Sequence, residues 1–324
     1  MKRRALLGAT LAAAASGCTA ACAATFEAPL PKVTIAGGAP GGVYHELAKA
    51  FAAEIRRRWR IPADVLPSNE SIDNLRMVAQ GRADIGFATV DLCELALQGD
   101  SPFTGVLQVA ALASVYEDYL QIIVSEESRI AQVRDLVRYR VSLGAEDSGA
   151  EFVAQRILRA AGLAPGDITK LFHLPADEAA TQMRAGNLDA FFVMGGLPTP
   201  SVLALAEKMK VGVLSIPDEA DYLRATTESD LYLSRSIPAG TYGIGSEKST
   251  LGVGNVIVIH KDASDETAFR LTELLLAAKP SLVKAHPEAR RLDPRTAVAT
   301  FRIPLHRGAL RYYRETKPYP GTAR

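Results

Sequence analysis

The chain has 324 residues, 48% of them hydrophobic and 23% charged, with a formal net charge of +1. That balance supports a sizeable buried core and excludes a disordered chain, and the length suits two cores better than one. Near-neutrality, with no basic stripe carrying interleaved aromatics, excludes nucleic acid and an anionic membrane surface as charge-driven partners.

The chain opens on Met1-Lys2-Arg3-Arg4, a positive start, followed by the apolar run from Ala5 to Ala15. That run is too short to span a bilayer, and Ala21-Cys22-Ala23 offers a small-residue cleavage site. Residues 1–24 therefore read as a secretory signal, by the general or the twin-arginine route. Ala15-Ser16-Gly17-Cys18 offers a second possibility, cleavage with lipid attachment at Cys18. Cys93 alone lies in the body of the chain, so no internal disulfide and no Cys/His metal spacing is available.

The body then runs through two stretches built on one plan. The first has a strand at Lys32 to Ala36, the loop Gly37-Gly38-Ala39-Pro40-Gly41-Gly42, and a helix over Val43 to Arg58 with Leu47, Phe51 and Ile55 on one face. A second helix over Ser71 to Gln80 stops at Gly81, and a buried strand follows over Arg82 to Thr89. Tyr116 to Ser125 is an extended segment that would cross to a second lobe.

The second copy has a strand at Arg140 to Leu143, the loop Gly144-Ala145-Glu146-Asp147-Ser148-Gly149, and a helix over Ala150 to Ala161. A further helix over Glu178 to Ala185 stops at Gly186, before a buried strand over Asn187 to Met194. The two Gly-to-Asp segments, Gly81 to Asp84 and Gly186 to Asp189, match in place, and both aspartates read as structural turn residues. The chain is expected to return near Val213 to Ile216, with a strand over Val253 to His260 and a helix over Glu266 to Ala278 completing the first lobe. Strand–loop–helix–strand repeats of this kind make parallel sheets with helices on their faces.

The two glycine-rich loops are the candidate site. Each leads from a strand's carboxyl end into a helix head, where free N–H groups and a partial positive charge suit a carboxylate or phosphate. Gly41 and Gly42 allow close approach to the backbone, and Ser148, Gly149 and Ala150 form the second head. Ser148 either caps its helix or offers its hydroxyl to a ligand. Tyr44 either packs on a ligand or makes a contact within its lobe. Ser71 is an N-cap or a cleft hydroxyl, and Asp91 caps the next helix or accepts from a ligand amine. The first loop is neither a Walker pattern nor a dinucleotide fingerprint. No metal spacing or nucleophile elbow appears, Cys93 reads as a small buried hydrophobe, and His306 reads as structural. No cofactor, no metal and no enzymatic activity are expected.

From Val33 to Glu315 the chain resembles the TAXI family, receptor components of one branch of TRAP transporters. The resemblance is carried by Gly41-Gly42-Val43-Tyr44, Ser71-Ile72-Asp73-Asn74-Leu75-Arg76, Ala83-Asp84-Ile85-Gly86 and Ser148-Gly149-Ala150-Glu151. Asp189-Ala190-Phe191-Phe192 leading into Gly195-Gly196-Leu197-Pro198 is also similar, as are Ile237 to Tyr242 and the tail Leu305-His306-Arg307-Gly308-Ala309-Leu310-Arg311-Tyr312-Tyr313. It departs at Glu70 and Asp147, where the family often has glycine, and at His45, Thr89-Val90, Ala150 and Arg307.

The resemblance implies a type II periplasmic-binding-protein-like α/β fold with two lobes, each a mixed, mainly parallel sheet flanked by helices. Lobe I is expected over 25–124 and 216–324, and lobe II over 125–215. It implies a periplasmic receptor that hands a small polar ligand, an amino acid such as glutamate or a small organic acid, to the integral membrane subunit of an ion-driven transporter. Gly195 and Gly196 join the expected site. A periplasmic sensor presenting its ligand to a signalling partner is the other reading the same binding module allows.

Overall fold

The computed structural model describes residues 28–40, 42–227 and 231–316. The leader over 1–24, with Cys18 and Cys22, and Gly41 of the first loop lie outside the described residues.

The first copy forms β1 (Val33–Ala36), α1 (Val43–Trp59), β2 (Ala63–Leu66), α2 (Glu70–Ala79), β3 (Ile85–Thr89) and α3 (Val90–Gln98). A long strand, β4 (Val109–Ser125), follows. The second copy forms β5 (Arg140–Ser142), α4 (Gly149–Ala160), β6 (Lys170–Phe172), α5 (Ala176–Arg184) and β7 (Ala190–Gly195). The chain continues through α6 (Pro200–Ala206), β8 (Val211–Val213), α7 (Pro217–Thr226), β9 (Tyr232–Ile237) and β10 (Lys248–His260). It ends on α8 (Asp265–Ala277), α9 (Lys279–Ala285) and α10 (Arg307–Thr316).

The strands make one curled sheet in the order β2-β1-β3-β10-β4-β7-β5-β6, with β8 beside β4 and β9 beside β10. The internal repeat is visible in this order. β1 pairs in parallel with β2 and β3, and β5 pairs in parallel with β6 and β7. Both helices that lead out of a repeat's glycine stop do so through a left-handed glycine, Gly81 at φ 68° and Gly186 at φ 74°.

Two long strands join the halves. β4 pairs with β10 up to Tyr119 and with β7 from Tyr119 onward. β10 pairs with β9 over Lys248 to Val253 and with β3 over Asn255 to Ile259. β4 starts at Val109, well before the extended segment read from the sequence, because Ala110, Ala111 and Ala113 carry little strand signal of their own. Their small side chains fit where helices close on both faces.

Side chains alternate between two cores, as strands covered on both faces require. Val256 and Val258 of β10 pack with Leu75, Val78 and Leu92 on one face. Ile257 and Ile259 pack with Leu47, Phe51, Ile55 and Leu271 on the other. In the second half, Ile122 and Phe192 join the first of these cores, while Ile123, Phe191 and Val193 form a third with Met183 and Val202. Ile237, Tyr242 and Ile244 pack into that third core, so the chain from the end of β9 to Ile244 lies with the second half before β10 carries it across.

Candidate functional site

The heads of α1, α2, α3 and α4 converge where the two halves meet. Gly42 is the cap residue of α1, in extended conformation. One turn in, Tyr44 is buried at 4% exposure and stacks on Phe87, with ring centroids 5.3 Å apart. Its hydroxyl donates to Asn255 Oδ1 and lies 3.3 Å from Ser71 Oγ. Burial, with Asp118 nearby, pushes the Tyr44 phenol well above its usual range, so it is a donor throughout the physiological span.

Ser71 does not cap α2, contrary to one of its two sequence readings. The helix begins at Glu70 behind Asn69, and Ser71 Oγ instead accepts the Thr89 N–H at 3.1 Å, tying α2 to the end of β3. Asp91 also sits inside its helix rather than ahead of it, since Thr89 is the cap residue of α3. Asp91 Oδ1 accepts the Leu92 N–H at 2.8 Å, and Oδ2 accepts the Tyr232 hydroxyl at 2.8 Å. With Glu94, Arg156 and Arg302 it lines a side cavity of about 220 Å³.

Ser148 does cap α4, accepting the Glu151 N–H at 3.2 Å. Gly149 and Ala150 are the first two helical residues behind it. A Cβ placed on Gly149 would lie 3.5 Å from the Thr89 methyl and 3.9 Å from Ser71 Oγ. The second glycine-loop head is thus in van der Waals reach of the joint that Ser71 makes between α2 and β3. On the same divide, a Cβ on Gly196 would run into the Glu288 carboxyl group. The Gly195-Gly196 loop is held by Gln121, whose amide donates to Thr199 Oγ1 at 2.7 Å, and Thr199 donates in turn to the Gly196 carbonyl at 2.9 Å.

The charge at this divide is negative. Glu70, with φ 65°, folds its carboxylate back onto the first loop and accepts the Ala39 N–H at 3.1 Å. Desolvation pushes its carboxyl up to about 7, against the opposing pull of that N–H. Asp118 on β4 is 6% exposed and is likewise pushed up to about 7 by burial, reinforced by Glu288, Glu70 and Glu117. Asn255 Nδ2 donates to Asp118 Oδ2 at 3.0 Å.

Asp118, Asn255, Gln121 and Tyr232 were not singled out from the sequence. Asn255 had a signal: it is a polar residue inside the otherwise apolar strand Val253 to Ile259, and 0% exposed. Asp118 had little, because it lies in the extended crossing segment Tyr116 to Ser125, and only the pairing of β10 and β7 on either side of that strand buries it. Two other residues take structural places. Cys93 is buried with its thiol pushed up by desolvation. His306 is fixed by the Gly308 N–H and the Ala263 carbonyl.

A model of the NMT1-like family matches residues 35–316. The chain belongs to that family. Among solved structures, it is similar to PhnD1 from Prochlorococcus marinus (MIT 9301) in complex with methylphosphonate, at 11% identity and a TM-score of 0.55, over 89% of this chain and 98% of that one. It is similar also to the alkanesulfonate-binding protein SsuA from Xanthomonas axonopodis pv. citri bound to MOPS, at 16% identity and a TM-score of 0.49, over 89% and 85%. A TctC solute binding protein from Polaromonas matches at 16% identity and a TM-score of 0.44, over 87% and 96%. The PhnD1 likeness is one of fold, and this NMT1-like chain has a periplasmic-binding-protein-like α/β fold, a curled mixed sheet flanked by helices. No helix among the described residues is long and apolar enough to cross a membrane, and no group of three His, Cys, Asp or Glu side chains among them is placed to hold a metal ion.

Proposed function

We propose that this chain is an extracytoplasmic solute-binding receptor of a TRAP-type, ion-driven transporter. It captures a small polar ligand, an amino acid such as glutamate or a small organic acid, in the cleft between its lobes. The observation that carries this reading is the apposition of Gly149, at the head of α4, with Thr89 and Ser71 across the divide. A helix head facing a second lobe gives a ligand contacts with both halves only when they close, so binding shifts the open–closed equilibrium.

The ligand-binding set is Gly41, Gly42, Tyr44, Ser71 and Asp91 from lobe I, with Ser148, Gly149, Ala150, Gly195 and Gly196 from lobe II. Gly41 lies outside the described residues. Lobe I takes the chain up to β4 and again from β10, and lobe II the span between. The second passage, expected near Val213 to Ile216, is read here at β10, a reading supported by the packing of Ile237, Tyr242 and Ile244 with Phe191 and Val202. The TAXI-like motifs support a TRAP membrane subunit as partner, and the leader supports a periplasmic location, free or anchored through Cys18.

A thermal-shift screen of purified mature protein over amino acids, dicarboxylates and keto acids tests this. A hit should raise the melting temperature and survive incubation unchanged. Tyr44→Ala and Ser148→Ala should each weaken the best hit by roughly tenfold or more. A ligand consumed by the protein would overturn the binding-only reading, and unchanged affinity in both variants would overturn the site.

A further inference from the structure

We propose that the captured ligand carries a protonated amine and that Asp118, on the crossing strand β4, receives it. The inference deepens the receptor reading and rests on it.

Asp118 is deeply buried, yet only one of its carboxylate oxygens is used. Oδ2 accepts from Asn255, while Oδ1 has no hydrogen-bond partner among the described residues. The charged side chains with most influence on it are acidic: Glu288, Glu70 and Glu117 raise its proton affinity, and none of the principal influences on it is a cation. Two of those neighbours have cations of their own. Glu117 pairs with Arg235 at 2.6 Å and Glu288 with Arg291 at 3.3 Å. Asp118 has none among the described ion pairs. An unpaired buried carboxylate is costly, and the cost is removed when a cation reaches it.

The position of Asp118 links it to the cleft. Asn255, which donates to Asp118, also accepts from Tyr44, whose hydroxyl meets Ser71. Asn255 lies opposite Thr89 in the β10–β3 register. Thr89 is 3% exposed, and its Oγ1, within 3.8 Å of a Cβ placed on Gly149, is a second buried oxygen with no partner among the described residues. Two unsatisfied oxygens, one charged, thus flank a single asparagine at the meeting of the lobes. The carboxylates do not converge tightly enough to hold a metal ion among the described residues. A spread of acceptors suits a larger cation with several directed N–H donors, which is what a primary ammonium group offers.

The test uses matched probes on the purified mature protein at a pH above 7: glutamate against glutarate, leucine against isocaproate, and putrescine alone. Calorimetric titration should give the amine-bearing member of at least one pair, or putrescine, an affinity at least roughly tenfold above its amine-free counterpart, with putrescine judged against butane-diol. Asp118→Asn should cut that affinity by roughly tenfold and shrink the difference within the pair, while the melting temperature of the ligand-free protein is kept or raised. Should the variant not fold, the comparison of pairs on the unaltered protein still decides. Equal or tighter binding of the amine-free members, or an unchanged affinity in a folded Asp118→Asn, overturns the amine inference and leaves the receptor reading standing. Failure of every probe, together with failure of the wider thermal-shift screen, overturns the receptor reading and takes this inference with it.

Discussion

Thr34 and Asp84 exchange two hydrogen bonds across β1 and β3: the Thr34 N–H donates to Asp84 Oδ2 at 2.6 Å, and the Asp84 N–H donates to the Thr34 carbonyl at 2.8 Å. Arg140 and Asp189 repeat the exchange in the second copy, both N–H bonds at 2.9 Å, and add a guanidinium grip on the carboxylate. The repeated aspartate is therefore a register pin, since it fixes which residue of the first strand the third strand faces. Replacing either aspartate by alanine strands a strand N–H, and each loss is expected to cost about 1–3 kcal/mol in chemical denaturation.

The two pins should respond to pH with opposite sign. Arg140 holds the Asp189 carboxyl below its usual range, so its contribution is complete above the ordinary carboxylate range and is lost as pH falls. Burial raises the Asp84 carboxyl, so its titration works against stability as pH rises out of that range. Denaturation midpoints of Asp84→Asn and Asp189→Asn followed from pH 3 to pH 6 check this. Parallel pH profiles for the two variants would rule the assignment out.

The acidic divide makes a second expectation. Glu70 and Asp118 both have carboxyls pushed up to about 7. In the unfolded chain each titrates near its ordinary value, at roughly 4. Between those limits the folded state binds more protons than the unfolded one, so these groups raise stability as pH falls from above 7 toward 5. The melting temperature of the ligand-free protein should therefore climb over that interval, and the climb should flatten in the double variant Glu70→Gln with Asp118→Asn. A flat profile in the unaltered protein would remove this account of the two carboxyls.

How much of this was legible in the sequence depends on whether the signal was local. The strand–glycine loop–helix units, the glycine stops at Gly81 and Gly186, and the recurring aspartates were readable because each is set by neighbours within a few residues. The capping role of Ser148 was readable for the same reason. Ser71 was ambiguous, because a serine near a helix start looks like a cap whether its hydroxyl serves its own helix or, as here, the Thr89 N–H eighteen residues away. Asp118 and Tyr232 were not readable, since their partners Asn255 and Asp91 are 137 and 141 residues distant. The passage back to the first lobe, expected near Val213 to Ile216, had little local signal, because β8 is three residues long and β9 is half polar and half apolar, so neither announces which half it joins.

Gly196 and Glu288 supply a test of lobe closure. A methyl group on Gly196 would need the whole Glu288 carboxyl to swing away, so Gly196→Ala should favour the open arrangement. Small-angle scattering with saturating ligand should then give a larger radius of gyration than the unaltered protein, with ligand affinity reduced by roughly tenfold. Adding Glu288→Ala, which clears the space, should restore both. Restoration of neither would show that Gly196 does not stand on the closing surface.

Glu70 is the residue most at odds with the anion-seat reading of the first loop. It occupies a left-handed position that favours glycine, and its carboxylate sits where a ligand carboxylate would meet the Ala39 N–H. Gly38 lies under the same group, since a Cβ there would be 2.9 Å from Glu70 Oε2. The protein thus fills its own first socket with a negative group and repels a second. Glu70→Gly relieves a left-handed residue, a gain of about 1 kcal/mol, and gives up one hydrogen bond of similar size, so stability should change little. Its effect on selectivity should be larger: glutarate and inorganic phosphate should bind at least roughly tenfold more tightly than to the unaltered protein. Glu70→Gln, which keeps an acceptor on Ala39 but removes the charge, should give an intermediate gain. If neither variant tightened anion binding, the first loop would be a turn whose N–H groups serve the fold alone, and the ligand's anionic end would belong to the α4 head.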